Sequence, residues 1–217
     1  MNLNVNEIFY SIQGETTKAG FPSLFIRLAG CNLKCSYCDT VYARSSSSGK
    51  EMTIGSILQE CVKYDQIDHI TITGGEPLVQ PNVIHLMKEL IKKGYSVQLE
   101  TNGSISLKDI PSEIKKIVDI KTPASGEGSS FLFENLNYLK KPDELKFVIL
   151  DIEDYKYSVD FIKKNLQSRD IVINFSPVFE SLSGAKLAEL ILIDRLPVRL
   201  NLQLHKILWP EGEPKMN

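Results

Sequence analysis

Apolar runs of β type at 24–29, 69–73, 96–101, 118–121, 145–150, 171–175 and 198–204 are separated by helical patterns along most of this chain. Strand, helix, strand in repetition predicts parallel strands joined by right-handed crossovers. A helix is expected where Thr53 can cap a segment holding Ile57, Leu58 and Cys61. Another is expected where Val83, Ile84, Met87, Leu90 and Ile91 recur at helical spacing before Gly94. Longer helices are predicted over 155–166 and 184–194, and shorter ones after Pro111 and before Pro142.

Alternation inside the strands decides how such a sheet closes. Leu24, Ile26 and Leu28 share one face, as do Ile70 with Ile72, Val97 with Leu99, Val118 with Ile120, and Val198, Leu200, Leu202 and Leu204. The opposite faces carry Arg27, Thr71, Thr73, Gln98, Glu100, Asp119, Lys121, Lys146, Asn174, Gln203 and His205. Helices on both sides of a flat parallel sheet make both faces apolar, so a polar row on every strand belongs to a lumen. Seven strands are too few for a closed eightfold barrel. The expected fold is α/β, a partial (β/α) barrel of mostly parallel strands with a polar lumen, in one domain spanning 1–217.

Composition bounds the function. With 42% apolar and 24% charged residues in 217, the chain has the make-up of a soluble globular protein with a real core. Its 25 basic and 27 acidic residues give a net charge of -2, so no overall field draws it to nucleic acid or an anionic membrane. The first ten residues lack a basic and apolar leader pattern, and no run approaches the ~20 apolar residues of a membrane span. The expected location is the cytoplasm, without membrane or nucleic-acid partners. In a reducing compartment, three of four cysteines crowded into 31–38 argue for a metal or cluster site rather than disulfides.

Cys31, Cys35 and Cys38 form a CxxxCxxC directly after the 24–29 strand. Three thiolates on one loop can hold three corners of a cubane cluster and leave the fourth iron open to another ligand. A structural zinc site wants a fourth Cys or His, and Cys61 sits among Ile57 and Leu58, where a buried free thiol is the ordinary reading. After the 69–73 strand comes Thr73-Gly74-Gly75-Glu76-Pro77, whose glycines let backbone approach a ligand closely. Taken singly, Gln13 and Glu15 suit a solvated turn at Gly14, Arg27 a surface ion pair, and Thr40 a loop cap.

The cysteine spacing followed by this Gly-Gly-Glu-Pro segment resembles the radical S-adenosylmethionine enzymes. Phe9 to Glu15, Arg27, Asp39-Thr40, Glu100 to Gly103, Asp119 to Gly126 and Gln203 to Lys206 are together similar to the 7-carboxy-7-deazaguanine synthase family. That resemblance implies a radical lyase acting on 6-carboxy-5,6,7,8-tetrahydropterin. The product would be 7-carboxy-7-deazaguanine, with loss of ammonia, on a route to queuosine or another 7-deazapurine. It implies a 4Fe-4S cluster on Cys31, Cys35 and Cys38, Mg²⁺ on Thr40, and S-adenosylmethionine at Tyr37, Cys38, Asp39, Gly75, Lys121 and Ser176. For the pterin substrate it implies Ile12, Gln13, Gly14, Glu15, Arg27, Thr73 and His205. A pterin edge offers donors and acceptors that an amide and a carboxylate can pair, and an arginine fork suits its carboxylate. A homodimer and an electron donor such as flavodoxin or ferredoxin are also implied. Two features depart from the family pattern: Thr16 replaces a frequent third glycine, and the tail beyond Pro210 ends differently. Competing readings are an activase that takes hydrogen from a partner protein's glycine and a non-catalytic zinc-binding module.

Overall fold

The computed structural model describes residues 1–64, 66–166, 170–179 and 181–210, so the unusual tail at 211–217 lies outside the described residues. Nine strands form one sheet: β1 (Asn2–Ile12), β2 (Pro22–Leu28), β3 (Lys50–Thr53), β4 (His69–Gly74), β5 (Ser96–Thr101), β6 (Lys115–Ile120), β7 (Glu144–Ile149), β8 (Val172–Pro177) and β9 (Arg199–Leu200). Their order is β3-β1-β2-β4-β5-β6-β7-β8-β9, parallel from β2 to β9, with β1 antiparallel to both its neighbours. The sheet stays open between β3 and β9, giving the partial barrel. The helices are α1 (Ile54–Val62), α2 (Val83–Lys92), α3 (Ile152–Asn165), α4 (Gly184–Ile193) and α5 (Leu204–Leu208).

The alternation sorts the strand faces as expected. Leu24, Ile26, Leu28, Ile70, Ile72, Leu99, Val118 and Ile120 are buried in one core with Ile57 of α1, Leu86, Met87 and Leu90 of α2 and Leu187 of α4. Each such side chain contributes about 1.5–3 kcal/mol of transfer free energy. A one-residue slip would send Arg27, Thr71 or Asp119 into the helix layer, so burial fixes the register. Helix ends also follow their sequence signals. Thr53 Oγ1 accepts from Ser56 N at 3.0 Å, and Gly94 takes φ +89° while Tyr95 N reaches Leu90 O at 3.2 Å in a Schellman closure.

Three expectations are corrected. Strands β1 and β3 form the edge of the sheet beside β2 and escape a pattern search: β1 slips register between Val5 and Glu7, and β3 is four mostly exposed residues. Leu3 and Val5 face the core before this bulge, Ile8 and Tyr10 after it, so no single period-2 phase describes the segment. The strand expected over 198–204 is only Arg199–Leu200, and the chain then turns into α5. β9 is the sheet edge, and Leu204 N instead donates to Gly14 O at 2.9 Å. No helix follows Pro111, because β6 begins four residues later after one turn, and the segment before Pro142 is a 3-10 helix, Phe133–Tyr138.

The antiparallel β1 has a consequence for the lumen. Its end lies beside the amino ends of the parallel strands, and the turn joining it to β2 buries Gln13, Glu15 and Thr16. Thr17 N and Oγ1 donate to Glu144 at the start of β7, at 3.0 and 2.6 Å. This turn therefore floors the lumen, while the cysteine loop leaves the carboxyl end of β2 and forms its rim. Thr16 holds φ +65°, a left-handed conformation that favours glycine, and its Oγ1 accepts from Lys18 N at 3.1 Å.

Candidate active site

The rim is built by close backbone approach. Gly30 N donates to Ala43 O at 2.8 Å and Cys31 N to Arg44 O at 3.0 Å, which folds the cysteine loop back over β2. From the end of β4, Gly75 N reaches Leu28 O at 3.1 Å and Glu76 N reaches Gly30 O at 2.8 Å. A Cβ on Gly75 would stand 2.4 Å from Gly30 O and 2.7 Å from Cys31 Cβ, so this contact requires glycine. Glu76 is fully buried, and its carboxylate accepts from Leu78 N, Thr101 Oγ1 and Asn102 N at 3.0, 2.8 and 2.7 Å. One buried carboxylate thus ties the glycine loop to the end of β5.

Cys31, Cys35 and Cys38 are half-buried free thiols, and Cys61 is a buried one. Burial pushes the Cys31 and Cys35 thiols up, against the pull of the Lys121 charge. Among the described residues no three Cys, His, Asp or Glu side chains converge on a single metal ion. Three thiols on separate positions of one loop fit a cluster in which three of four irons would each take one thiolate. Cys61 packs in the α1 layer, its thiol pushed up to about 11 by burial, as its apolar neighbours predict.

Tyr37 is anchored by its hydroxyl, which bonds Thr122 Oγ1 at 3.1 Å and Val148 O at 3.2 Å. Asp39 pairs with Lys206 of α5 at 3.2 Å. Thr40 stands at the start of the turn Val41–Ala43 but its side chain caps no backbone N–H, which corrects the loop-cap reading; its Oγ1 lies 3.8 Å from Cys38 Sγ. A hydroxyl whose one bond among the described residues is this long contact to Cys38 Sγ fits a Mg²⁺ that keeps waters and takes few protein oxygens.

Below the rim, a chain of alternating charge crosses the lumen. Lys121 Nζ lies 3.0 Å from Asp119 Oδ2, Lys146 Nζ lies 3.3 Å from the same oxygen, and Lys146 also reaches Glu15 Oε2 at 2.8 Å. Burial opposes each charge, but the neighbouring ions win: Asp119 is held below and Lys146 well above their ordinary ranges. Glu15 Oε1 and Asp119 Oδ1 are buried without a partner. Gln13 is nearly fully buried, and its amide donates to Thr71 Oγ1 and Glu100 at 3.3 and 3.1 Å while accepting from Glu15 N at 3.1 Å. Its side chain is thus spent on shaping the turn, and Glu15 is the one with acceptor capacity to spare.

Arg27 is neither exposed nor isolated. Its Nε donates to Glu7 at 2.9 Å, and the guanidinium lies 5.5 and 5.7 Å from the ring centres of Phe9 and Tyr42. Phe9 in turn stacks on Phe25 at 4.9 Å. Gly14 admits His205: a Cβ there would stand 2.0 Å from the imidazole Nδ1.

A single cavity of about 650 Å³ takes in Ile12, Gln13, Gly14, Glu15, Arg27, Thr73, His205, Cys31, Cys35, Tyr37, Cys38, Asp39, Thr40, Gly75 and Lys121. Ser176 is the exception. It is fully buried, its Oγ accepts from Asn201 Nδ2 at 2.9 Å, and Val178 and Phe179 reach the cavity instead. Sequence reasoning also passed over Glu7, Glu100, Asp119 and Lys146 as site residues. The last three already belonged to the polar row of the strands, which was the available signal.

With this geometry established, the chain's similarities are informative. Residues 25–123 match the Radical SAM superfamily model. The chain is 39% identical to a 7-carboxy-7-deazaguanine synthase of Koribacter versatilis over 95% of its own length and 97% of the relative's. It is 40% identical to one of Chlorobaculum tepidum over 95% and 94%. The fold is similar to the crystal structure of QueE from Escherichia coli, with a TM-score of 0.79 over 94% of this chain and 95% of that one, at 24% identity.

Proposed function

The chain belongs to the 7-carboxy-7-deazaguanine synthase family of radical S-adenosylmethionine enzymes, and from that premise we propose that the lumen cavity carries the family's lyase reaction. The reaction converts 6-carboxy-5,6,7,8-tetrahydropterin to 7-carboxy-7-deazaguanine with loss of ammonia. The observation that carries the assignment is convergence: the cysteine loop, the glycine pair and the Gln-Gly-Glu turn, distant in sequence, face one lumen. A 4Fe-4S cluster with S-adenosylmethionine supplies, when bound, the one-electron chemistry that begins hydrogen abstraction. Cys31, Cys35 and Cys38 hold that cluster, and Tyr37, Cys38, Asp39, Gly75 and Lys121 bind S-adenosylmethionine.

At the floor, Glu15 accepts an N–H of the pterin on its unpartnered oxygen, with the Gln13-Gly14 backbone and Ile12 beside it. Arg27 takes the substrate carboxylate, its plane set by Glu7 and the flanking rings, and Thr73 and His205 complete the wall. The unit 1–217 acts as one domain, as a homodimer in the cytoplasm, reduced by a flavodoxin or ferredoxin. Among the described residues no helix is long and apolar enough to cross a membrane.

Two expected results test the substrate half. Arg27→Lys keeps the charge but loses the planar fork, so tetrahydropterin affinity should fall about tenfold or more while S-adenosylmethionine affinity is unchanged. Parallel anaerobic titrations of both ligands check this; equal loss of both would mean a displaced β2. Thr40→Ala should lose most of the Mg²⁺ stimulation of initial rate with its cluster intact, and Thr40→Ser should lose less. An unaltered Mg²⁺ response in Thr40→Ala, with iron content checked, would remove Thr40 from the metal site.

A further inference from the structure

Lys146 carries the next step. Its neighbours Leu145 and Phe147 are fully buried in the core, so the strand turns Lys146 to the lumen, where its side chain is 13% exposed. There its ammonium stands between two carboxylates from different elements, Glu15 of the floor turn and Asp119 of β6. Asp119 has a second cation, Lys121, at 3.0 Å on the same oxygen. Glu15 is paired with Lys146 alone among the ion pairs of the described residues. A lysine placed only to neutralise buried acids would leave both oxygens of each carboxylate satisfied, since an unpaired buried acceptor costs about 1–3 kcal/mol. Here Glu15 Oε1 and Asp119 Oδ1 are buried with no partner.

We infer that Lys146 is a positioning residue for the lyase reaction: by holding Glu15 Oε2, it orients the carboxylate so that Oε1 is presented to an N–H donor of the bound heterocycle. The inference rests on the reading of Glu15 as a substrate contact. Lys146 lines the cavity, and in this role it acts through Glu15. The ring atom it helps to seat is an amidine-type N–H of a pterin, which pairs more favourably with a carboxylate already fixed in place than with one that must be ordered on binding. Gln13 supports the same geometry, because its Oε1 accepts the Glu15 backbone N–H at 3.1 Å and fixes the turn from the other side.

The test is a double-mutant cycle read as equilibrium binding to the unreduced, cluster-loaded protein with S-adenosylmethionine and Mg²⁺ present. The tetrahydropterin Kd is measured by anaerobic dialysis for the parent, Glu15→Gln, Lys146→Met and the double variant, and the S-adenosylmethionine Kd for each. Glu15→Gln and Lys146→Met should each raise the tetrahydropterin Kd roughly tenfold, the loss of a charge-assisted contact. In the Glu15→Gln background, Lys146→Met should add less than about twofold, because residues acting through one contact are not additive. The S-adenosylmethionine Kd should not move. If Lys146→Met fails to take up its cluster, Lys146→Gln, which keeps donors without the charge, runs through the same cycle with the same expectation. An equal factor in both backgrounds, an unchanged Kd in Lys146→Met, or a parallel rise in the S-adenosylmethionine Kd would overturn the role of Lys146. A Glu15→Gln protein with the parent's Kd would overturn it too, and would locate the failure in the substrate reading of Glu15.

Discussion

Alanine at any one of Cys31, Cys35 or Cys38 is expected to abolish both cluster retention and turnover, whereas Cys61→Ala keeps both. Ligand count is the reason: three thiolates would hold the cubane while leaving one iron without a protein ligand, and two would not. Cys61 is 1% exposed in the α1 layer, so its loss removes about one small buried group from the core, roughly 1 kcal/mol of stability. Iron and sulfide assays after anaerobic reconstitution check the set, at about four of each per chain for the parent and for Cys61→Ala. A folded Cys61→Ala protein unable to assemble its cluster would contradict the assignment.

The second large effect falls on stability and lies at the floor. Glu144 is fully buried and accepts from Thr17, from Asn174 Nδ2 at 2.6 Å and from Lys115, joining the floor turn to three neighbouring strands. Glu144→Ala leaves Asn174 Nδ2 without its acceptor, strips Lys115 of its buried counter-charge so that only Thr17 Oγ1 still accepts from it, and releases the turn that carries Gln13 and Glu15. Breaking a buried pair in this way costs about 3–5 kcal/mol, which for a chain of this size lowers Tm by roughly 6–20 °C. Burial raises the Glu144 carboxyl, but the bonds from Lys115 and Thr17 outweigh it and hold it below the ordinary range. Its contribution is therefore full above the ordinary carboxylate range and is lost as pH falls through the lowered value. Denaturant melts of parent and Glu144→Ala across pH measure this; curves that stay equally far apart in acid would contradict the sign.

The parallel part of the sheet was legible because each strand, from Leu24-Ile26-Leu28 onward, buries alternate residues against helices and must keep one phase. β1 was not, since its bulge moves the core face from Leu3 and Val5 to Ile8 and Tyr10. Losing β1 also hid where the Gln-Gly-Glu turn lies: at the floor of the lumen, opposite the cysteine rim, which only an antiparallel strand explains. The cysteines and the glycine pair were readable from spacing, because ligand number and backbone approach are local demands. Lys146 was readable as part of the polar row but not as a site residue, and Glu144 not at all, because pairing across the lumen and to the floor turn is a long-range fact that strand alternation does not carry. Ser176 kept the lumen parity of β8, but Asn201, arriving from β9, covers it.

One incubation tests the lyase reaction directly. Reconstituted protein is mixed anaerobically with reductant, S-adenosylmethionine, Mg²⁺ and 6-carboxy-5,6,7,8-tetrahydropterin, and the products are resolved by mass. The expected product is 7-carboxy-7-deazaguanine, formed with ammonia, in the parent and none in Cys35→Ala. A parent that carries its cluster, binds S-adenosylmethionine and consumes no tetrahydropterin would contradict it.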